Sequence, residues 1–285
     1  MKVLIFGAKG NLGQELAAAM KAAGHEVVAL DREDLDVLDT EALRRRILDE
    51  AAAAVLNCVA FNDVDAAEDP AKRPFAFRLN ADVPGEMARA AAEAGAIFVH
   101  YSTDYVFAGT KPGGYAESDE PDPVSVYGES KAAGEKAVLA AGGRAYVCRL
   151  SKIFGRPGVS ELSKPSFVSI MLKLAATKPE LAVVDEEVGC PTYTKDIAAA
   201  TVKLIAGGFA PGVYHLVNEG PGVTWYGFAE EFFGLAGVTT PRRPVSSAQF
   251  PKPARRPKFA ALRNTKFPPL RDRREALRDF LGVGK

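Results

Sequence analysis

Short apolar runs recur along the chain, and most are followed by a longer stretch in which apolar residues return every three or four positions. Lys2 to Phe6 is the first such run, and a helical pattern follows from Gln14 to Ala23. Val27 to Leu30 reads as a second strand, Thr40 to Glu50 as a helix, and Ala54 to Asn57 as a third strand. A helix over Ala81 to Ala94 and strands over Ile97 to Tyr101 and Tyr146 to Leu150 continue the alternation. Strands alternating with helices predict an α/β fold, a parallel sheet covered by helices on both faces.

Beyond Ser151 the pattern loosens into a stretch rich in Pro, Gly and Ser, Arg156 to Ser166. A helix over Phe167 to Ala176, a strand over Ala182 to Val184, a helix over Asp196 to Ala206, a strand over Gly212 to Val217 and a helix over Trp225 to Leu235 follow. The end is basic and proline-rich. This organisation predicts a sheet domain over residues 1–150, with 194–218 returning to it. Residues 151–193 and 219–285 would form a smaller, discontinuous lobe closing over the sheet.

The first strand runs directly into Gly7-Ala8-Lys9-Gly10-Asn11-Leu12-Gly13. Strand, glycine turn and helix in that order allow a tight turn and a close backbone approach to a pyrophosphate, whose charge the helix N-terminus stabilises. The sheet is therefore expected to be a Rossmann-type, doubly wound one. The spacing is G-x-x-G-x-x-G, so the signal rests on its context between strand and helix. The second strand ends at Asp31, placed to meet a ribose hydroxyl, and Arg32 follows as a cation suited to a 2′-phosphate. NADH and NADPH both remain open. Ligands of such sheets sit at the C-terminal strand ends, where Ala60-Phe61-Asn62 and Ser102-Thr103-Asp104 emerge. The long loop Phe107 to Ser125, rich in Pro, Gly and acids, leads to a further candidate segment.

That segment is Val126 to Lys131, Val-Tyr-Gly-Glu-Ser-Lys. In a helix, Tyr127 and Lys131 project from one face. An ammonium beside a phenol favours the phenolate and draws its pKa toward working pH, making the tyrosine a proton donor to a carbonyl oxygen. The same spacing also describes an ordinary surface pair one helical turn apart.

Composition narrows the classes of function. The 285 residues carry 36 basic and 36 acidic side chains, so no global field recruits nucleic acid or an anionic membrane. No apolar span of about 18 residues and no secretory leader pattern is visible. Cys58, Cys148 and Cys190 show neither metal spacing nor a disulfide framework, which fits the reducing cytoplasm, and Cys58 and Cys148 read as small buried hydrophobes. His25, His100 and His215 form no ligand pair and read as packing or surface residues. From Arg242 onward basic residues dominate until Asp272, forming either a solvated face or an anion site.

Tyr101-Ser102-Thr103-Asp104-Tyr105-Val106-Phe107, with Tyr127, Gly128 and Lys131, resembles the extended short-chain dehydrogenase/reductases. More narrowly it is similar to the dTDP-4-dehydrorhamnose reductase family. The match includes Gly7 to Gly13, Val64 to Glu68, Val126 to Glu135, Gly189 to Thr192, Gly212 to Leu216 and Pro253 to Pro257. The resemblance implies reduction of the C4 ketone of a nucleotide-activated 4-keto-6-deoxy sugar by NADPH or NADH. Thr103, Tyr127 and Lys131 would be the catalytic triad. Cofactor contacts would come from Gly7, Lys9, Gly10, Asn11, Leu12, Gly13, Asp31, Asp36, Val37, Ala60, Tyr101, Tyr127 and Lys131, with Arg32, Phe61 and Asn62 added from the strand ends. Thr103 and Asp104 would touch the sugar nucleotide. Arg255 and Arg256 are candidates for its diphosphate, or else a basic surface turn set by Pro253 and Pro257.

Related 4,6-dehydratases carry an acid directly after the Thr-Asp pair. Tyr105 stands there instead and disfavours dehydration. A non-catalytic relative, the methionine adenosyltransferase β-subunit, shares the Asp-Tyr-Val-Phe stretch and keeps a partner-binding alternative open. The family usually continues Ser-Trp after the strand ending at Leu150, with the tryptophan against the sugar. Here the pair is Ser151-Lys152, which makes Lys152 a candidate substrate contact and another sugar nucleotide an alternative substrate. Some members dimerise around a metal held by glutamates. Glu15 matches one such position but Lys195 falls on another, so no metal is expected, and monomer and homodimer both remain open.

Overall fold

The computed structural model describes residues 1–160 and 163–284, so residues 161 and 162 of the Arg156 to Ser166 stretch lie outside the described residues. Strands β1 (Lys2–Phe6), β2 (Glu26–Leu30), β3 (Ala54–Asn57), β4 (Ile97–Thr103) and β5 (Arg144–Leu150) belong to one parallel sheet. The short β6 (Ile153–Phe154), β7 (Leu181–Val184) and β8 (Thr192–Tyr193) lie outside it, and β9 (Gly212–His215) returns to its edge beside β5. β10 (Arg242–Val245) pairs with β7, and β6 with β8. The sheet order β2-β1-β3-β4-β5-β9 reverses direction at β1 and β3, and the crevice above that reversal is where doubly wound sheets bind ligands.

The helices are α1 (Asn11–Ala22), α2 (Thr40–Glu50), α3 (Arg73–Phe77), α4 (Val83–Glu93), α5 (Val126–Ala140), α6 (Phe167–Ala175), α7 (Thr194–Ala206), α8 (Trp225–Ala236) and α9 (Arg273–Leu281). Strand pleating sorts them. Val3 and Ile5 face a core shared with Leu12, Leu16 and Met20 of α1 and Ile197 and Leu204 of α7. Leu4 and Phe6, on the opposite face, pack with Leu43 and Ile47 of α2, Val83 and Met87 of α4 and Val138 of α5. Because both faces are buried, the strands read as continuous apolar runs rather than alternating ones.

A third core lies outside the sheet, where Phe228, Phe232 and Phe233 of α8 meet Val168 of α6, Leu181 and Val183 of β7, and Ala276 and Leu277 of α9. The tail then crosses back, and Phe267 and Leu270 pack into the core beside α1 and α7. The sheet and the third core are further tied by Arg271, which binds Asp196 of α7 at 2.9 Å and Asp279 of α9 at 2.8 Å.

Candidate functional site

The glycine turn closes β1 against α1. Gly7 adopts φ +74°, and a Cβ there would stand 3.0 Å from the Cys58 carbonyl carbon beyond β3. A side chain on Gly13 would collide with the Gly7 carbonyl oxygen, so only glycine lets α1 start this close to the strand. Gly10 caps α1 without a side-chain acceptor, which leaves first-turn N–H groups for a ligand. The cradle fits the pyrophosphate of a dinucleotide. Leu12, by contrast, points into the core.

At the end of β2, Asp31 accepts from Lys9 N at 2.8 Å and from Arg32 N at 3.0 Å. The Arg32 guanidinium is exposed and donates to Ser160 Oγ at 3.1 Å. Residues 156–164 cross the glycine turn: Gly158 N donates to Asn11 Oδ1 at 2.8 Å, and Ser160 N to the Lys9 carbonyl at 3.1 Å. Asp36 and Val37 lie in the loop after β2, where Asp36 accepts from Leu38 N at 3.0 Å. Ala60, Phe61 and Asn62 follow β3, and Phe61 N is held by Asn80 Oδ1 at 2.8 Å.

Ser125 caps α5 by accepting from Gly128 N, so the helix starts at Val126 and sets Tyr127 in its first turn. Gly128 is required there because a Cβ would strike the Tyr105 carbonyl oxygen. Tyr127 stands edge-on to Tyr105 at 5.6 Å between ring centroids. Thr103 ends β4; its hydroxyl donates to Asp104 Oδ1 at 3.1 Å and accepts from Tyr105 N at 3.2 Å. The structure thus brings Thr103, Asp104 and Tyr127 to one edge of the sheet, with Lys131 one turn below.

Two expectations are corrected. Lys131 does not lie against the phenol: its Nζ donates to the Tyr101 carbonyl at 2.6 Å and faces His100 Nε2 at 3.3 Å. Burial therefore governs the phenol, pushing Tyr127 up to about 12, with the Thr103 hydroxyl opposing the rise and the Asp104 carboxylate adding to it. Cys58 is only partly buried, directly after β3 and packed against the edge of the core. The Tyr101 phenol turns into the core and meets Thr201 Oγ1 at 2.9 Å, so only its backbone faces Lys131. Asp104 is raised by burial, against the hydrogen bonds from Ser151 and Thr103 and the nearby charge of Lys152.

His100 and Asn57 join the site although the sequence marked neither for chemistry. Asn57 Nδ2 lies 3.1 Å from His100 Nδ1, both side chains are buried, and the Lys131 ammonium is pulled down to about 8 by burial. No spacing links Asn57, His100 and Lys131, and only the registry of β3, β4 and α5 brings them together. Of the two arginine candidates, Arg256 forms a two-pronged pair with Asp65, at 2.9 and 3.1 Å, while Arg255 is exposed. Glu15 binds Arg156 at 3.0 Å and Lys195 binds Asp279 at 3.2 Å. Among the described residues no helix is long and apolar enough to cross a membrane.

The doubly wound parallel sheet, the glycine turn and the Tyr-x-x-x-Lys helix define an extended short-chain dehydrogenase/reductase. A family model described as RmlD substrate binding domain matches residues 1–281. The chain belongs to this family, that of the dTDP-4-dehydrorhamnose reductases. It is 39% identical to the dTDP-4-dehydrorhamnose reductase of Mycolicibacterium smegmatis, over 99% of this chain and 85% of that one. The Bacillus anthracis reductase in complex with NADP superposes with a TM-score of 0.91 at 31% identity, covering 98% of both chains. The Clostridium acetobutylicum reductase gives 0.92 at 35%, covering 99% of both.

Proposed function

We propose that the protein reduces the C4 ketone of dTDP-4-dehydro-L-rhamnose to dTDP-L-rhamnose, with NADPH or NADH as the reductant. The observation that carries this reading is the convergence of Thr103, Tyr127 and a buried Lys131 at the C-terminal edge of the sheet in a chain of this family. A bound nicotinamide would supply a hydride to C4. Tyr127, kept protonated by burial, donates its phenolic proton to the oxygen as negative charge develops there. Thr103 would turn its hydroxyl proton from Asp104 to the same oxygen, a stabilisation largest where the charge appears. Lys131 would hold the cofactor ribose and, while charged, would stabilise the phenolate from one helical turn below rather than by contact, until solvent returns the proton. Gly7, Gly10 and Gly13 would cradle the pyrophosphate, and Asp31 and Arg32 would meet the adenosine ribose. We infer a cytoplasmic enzyme, a reading supported by the three free cysteine thiols, which suit a reducing compartment.

The test is oxidation of NADPH and of NADH at 340 nm with enzymatically generated dTDP-4-dehydro-L-rhamnose. Rapid oxidation supports the reductase, and Tyr127→Phe is expected to abolish turnover while cofactor binding persists. Undiminished activity in that variant would overturn the mechanism.

A further inference from the structure

Lys152 stands two residues beyond Leu150, the partner of Thr103 across β4 and β5. Its backbone holds φ +42°, left-handed and unfavourable for a side chain with a Cβ, and such strain persists where surrounding contacts enforce it. The contacts are visible. Ser151 Oγ donates to Asp104 Oδ2 at 2.6 Å and accepts from Cys190 N at 2.9 Å, which fixes the backbone just before Lys152. The Lys152 stem then lies across Gly189, where an added Cβ would come within 2.6 Å of Cε. Nζ ends 3.3 Å from the centroid of the Trp225 ring.

Trp225 is itself fixed. Its Nε1 donates to Glu187 Oε2 at 2.9 Å, and Phe167 packs against its ring at 4.6 Å between centroids. With Phe167 and Lys152 both against it, the indole supports the ammonium and leaves little ring face on which a sugar could lie. Asp104 and Glu187 lie close enough to favour the charged amine against a burial that pulls it down to about 7. Among the described residues, however, Nζ closes no ion pair and donates no hydrogen bond. Its donors are left without a partner on the indole, one residue past Ser151, whose hydroxyl binds the carboxyl group next to Thr103.

We propose that Lys152 is a specificity-determining residue that donates a hydrogen bond to a neutral ring hydroxyl of the nucleotide-bound keto sugar, with Trp225 as its positioning residue. The proposal rests on the reductase reading above. A neutral oxygen is the matching acceptor because Glu187 sits on the same indole as Nζ and Asp104 is held by the neighbouring Ser151, so a sugar carboxylate would meet two others. No covalent step is involved.

The experiment compares wild type with Lys152→Met on dTDP-4-dehydro-L-rhamnose and on its 2-deoxy and 3-deoxy analogues. Affinity for dTDP alone is measured by calorimetry alongside. A hydrogen bond from a charged donor is expected to show as about a 10- to 100-fold rise in KM, with kcat changed by less than about threefold and dTDP affinity unchanged. The penalty should vanish on one deoxy analogue. An unchanged KM, a penalty equal on all three sugars, or one carried fully by dTDP would overturn the proposal while leaving the reductase reading intact. A wild type that reduces none of the sugars would overturn both. Should Lys152→Met fail to fold, Trp225→Leu is expected to reproduce the KM effect by releasing the ammonium, and Trp225→Phe, which keeps a ring face, to restore most of it. Equal KM values for wild type and Trp225→Leu would then overturn it.

Discussion

His100 Nε2 faces Lys131 Nζ across 3.3 Å, and the sense of the hydrogen bonds around them bears on the charge of the lysine. Val59 N donates to Asn57 Oδ1, which turns the Asn57 amide nitrogen, a donor, toward His100 Nδ1. Assigned from that network, the imidazole proton sits on Nε2 and points at Lys131. Two donors meet unless the amine gives up a proton, in accord with its lowering to about 8. The ammonium is thus lost as pH rises through about 8, whereas Tyr127, at about 12, stays protonated. A profile of kcat/KM between pH 6 and 10 should therefore fall on the alkaline side near pH 8. His100→Phe, which removes the opposing N–H, should move that limb upward.

The same burial makes Lys131 a cost to the fold. Its pKa falls from 10.5 unfolded to about 8 folded, so between those values the unfolded chain binds more protons and stability rises with pH. Below about pH 8 the full penalty applies. One pKa unit corresponds to about 1.4 kcal/mol, so the penalty is on the order of 3–4 kcal/mol. Lys131→Met should melt a few degrees higher than wild type at pH 7, with the gap narrowing at pH 10, while turnover falls at least about 100-fold. Thermal melts at the two pH values decide it, and a lower melting temperature at pH 7 would refute the argument.

Thr40–Glu50 and Ala54–Asn57 fall where periodicity alone put them, because a strand buried on both faces and an amphipathic helix carry their signals in their own residues. α4 starts at Val83 rather than Ala81 because a π turn over Arg78–Asp82 takes up the preceding residues. Asn80, in that turn, binds Phe61 and Ser130, so the irregularity is set by tertiary partners that no local pattern reveals. α9 was hidden in the basic tail because charged residues fill its outer face and few core contacts, among them Ala276 and Leu277, mark the inner one. At the site, Tyr127, Lys131 and Thr103 were legible as residue types in order. That Lys131 would meet Tyr101 and His100 rather than the phenol depends on the height of α5 over β4, which a sequence does not encode locally.

Arg32 offers a test of cofactor preference. It is exposed at the end of β2, one residue past Asp31, whose carboxylate is already engaged by two backbone N–H groups. A carboxylate alone suits a ribose diol, while the guanidinium suits a 2′-phosphate. Arg32→Ala should raise KM for NADPH about 10-fold or more and leave KM for NADH within about twofold. Parallel titrations of the two cofactors measure this, and an equal loss for both would show that Arg32 does not distinguish them.

Glu135 and Arg149 form the deepest ion pair of the fold among the described residues, with both side chains 3% exposed and contacts of 2.7, 2.9 and 3.1 Å. Arg149 also lies 4.9 Å from the centroid of Phe107 and 3.5 Å from His215 Nε2, so the pair ties α5, β5 and β9 together beneath the site. Two charges removed from water contribute little net stability, but deleting one leaves the other stranded. Glu135→Leu should therefore cost about 3–5 kcal/mol, because it leaves a buried guanidinium without its carboxylate partner. Arg149→Met combined with Glu135→Leu removes both charges, and most of that loss should return. Urea unfolding of wild type, both single variants and the double variant measures the coupling. A double variant as unstable as the sum of the singles would mean that the node works through packing against Phe107 rather than through charge.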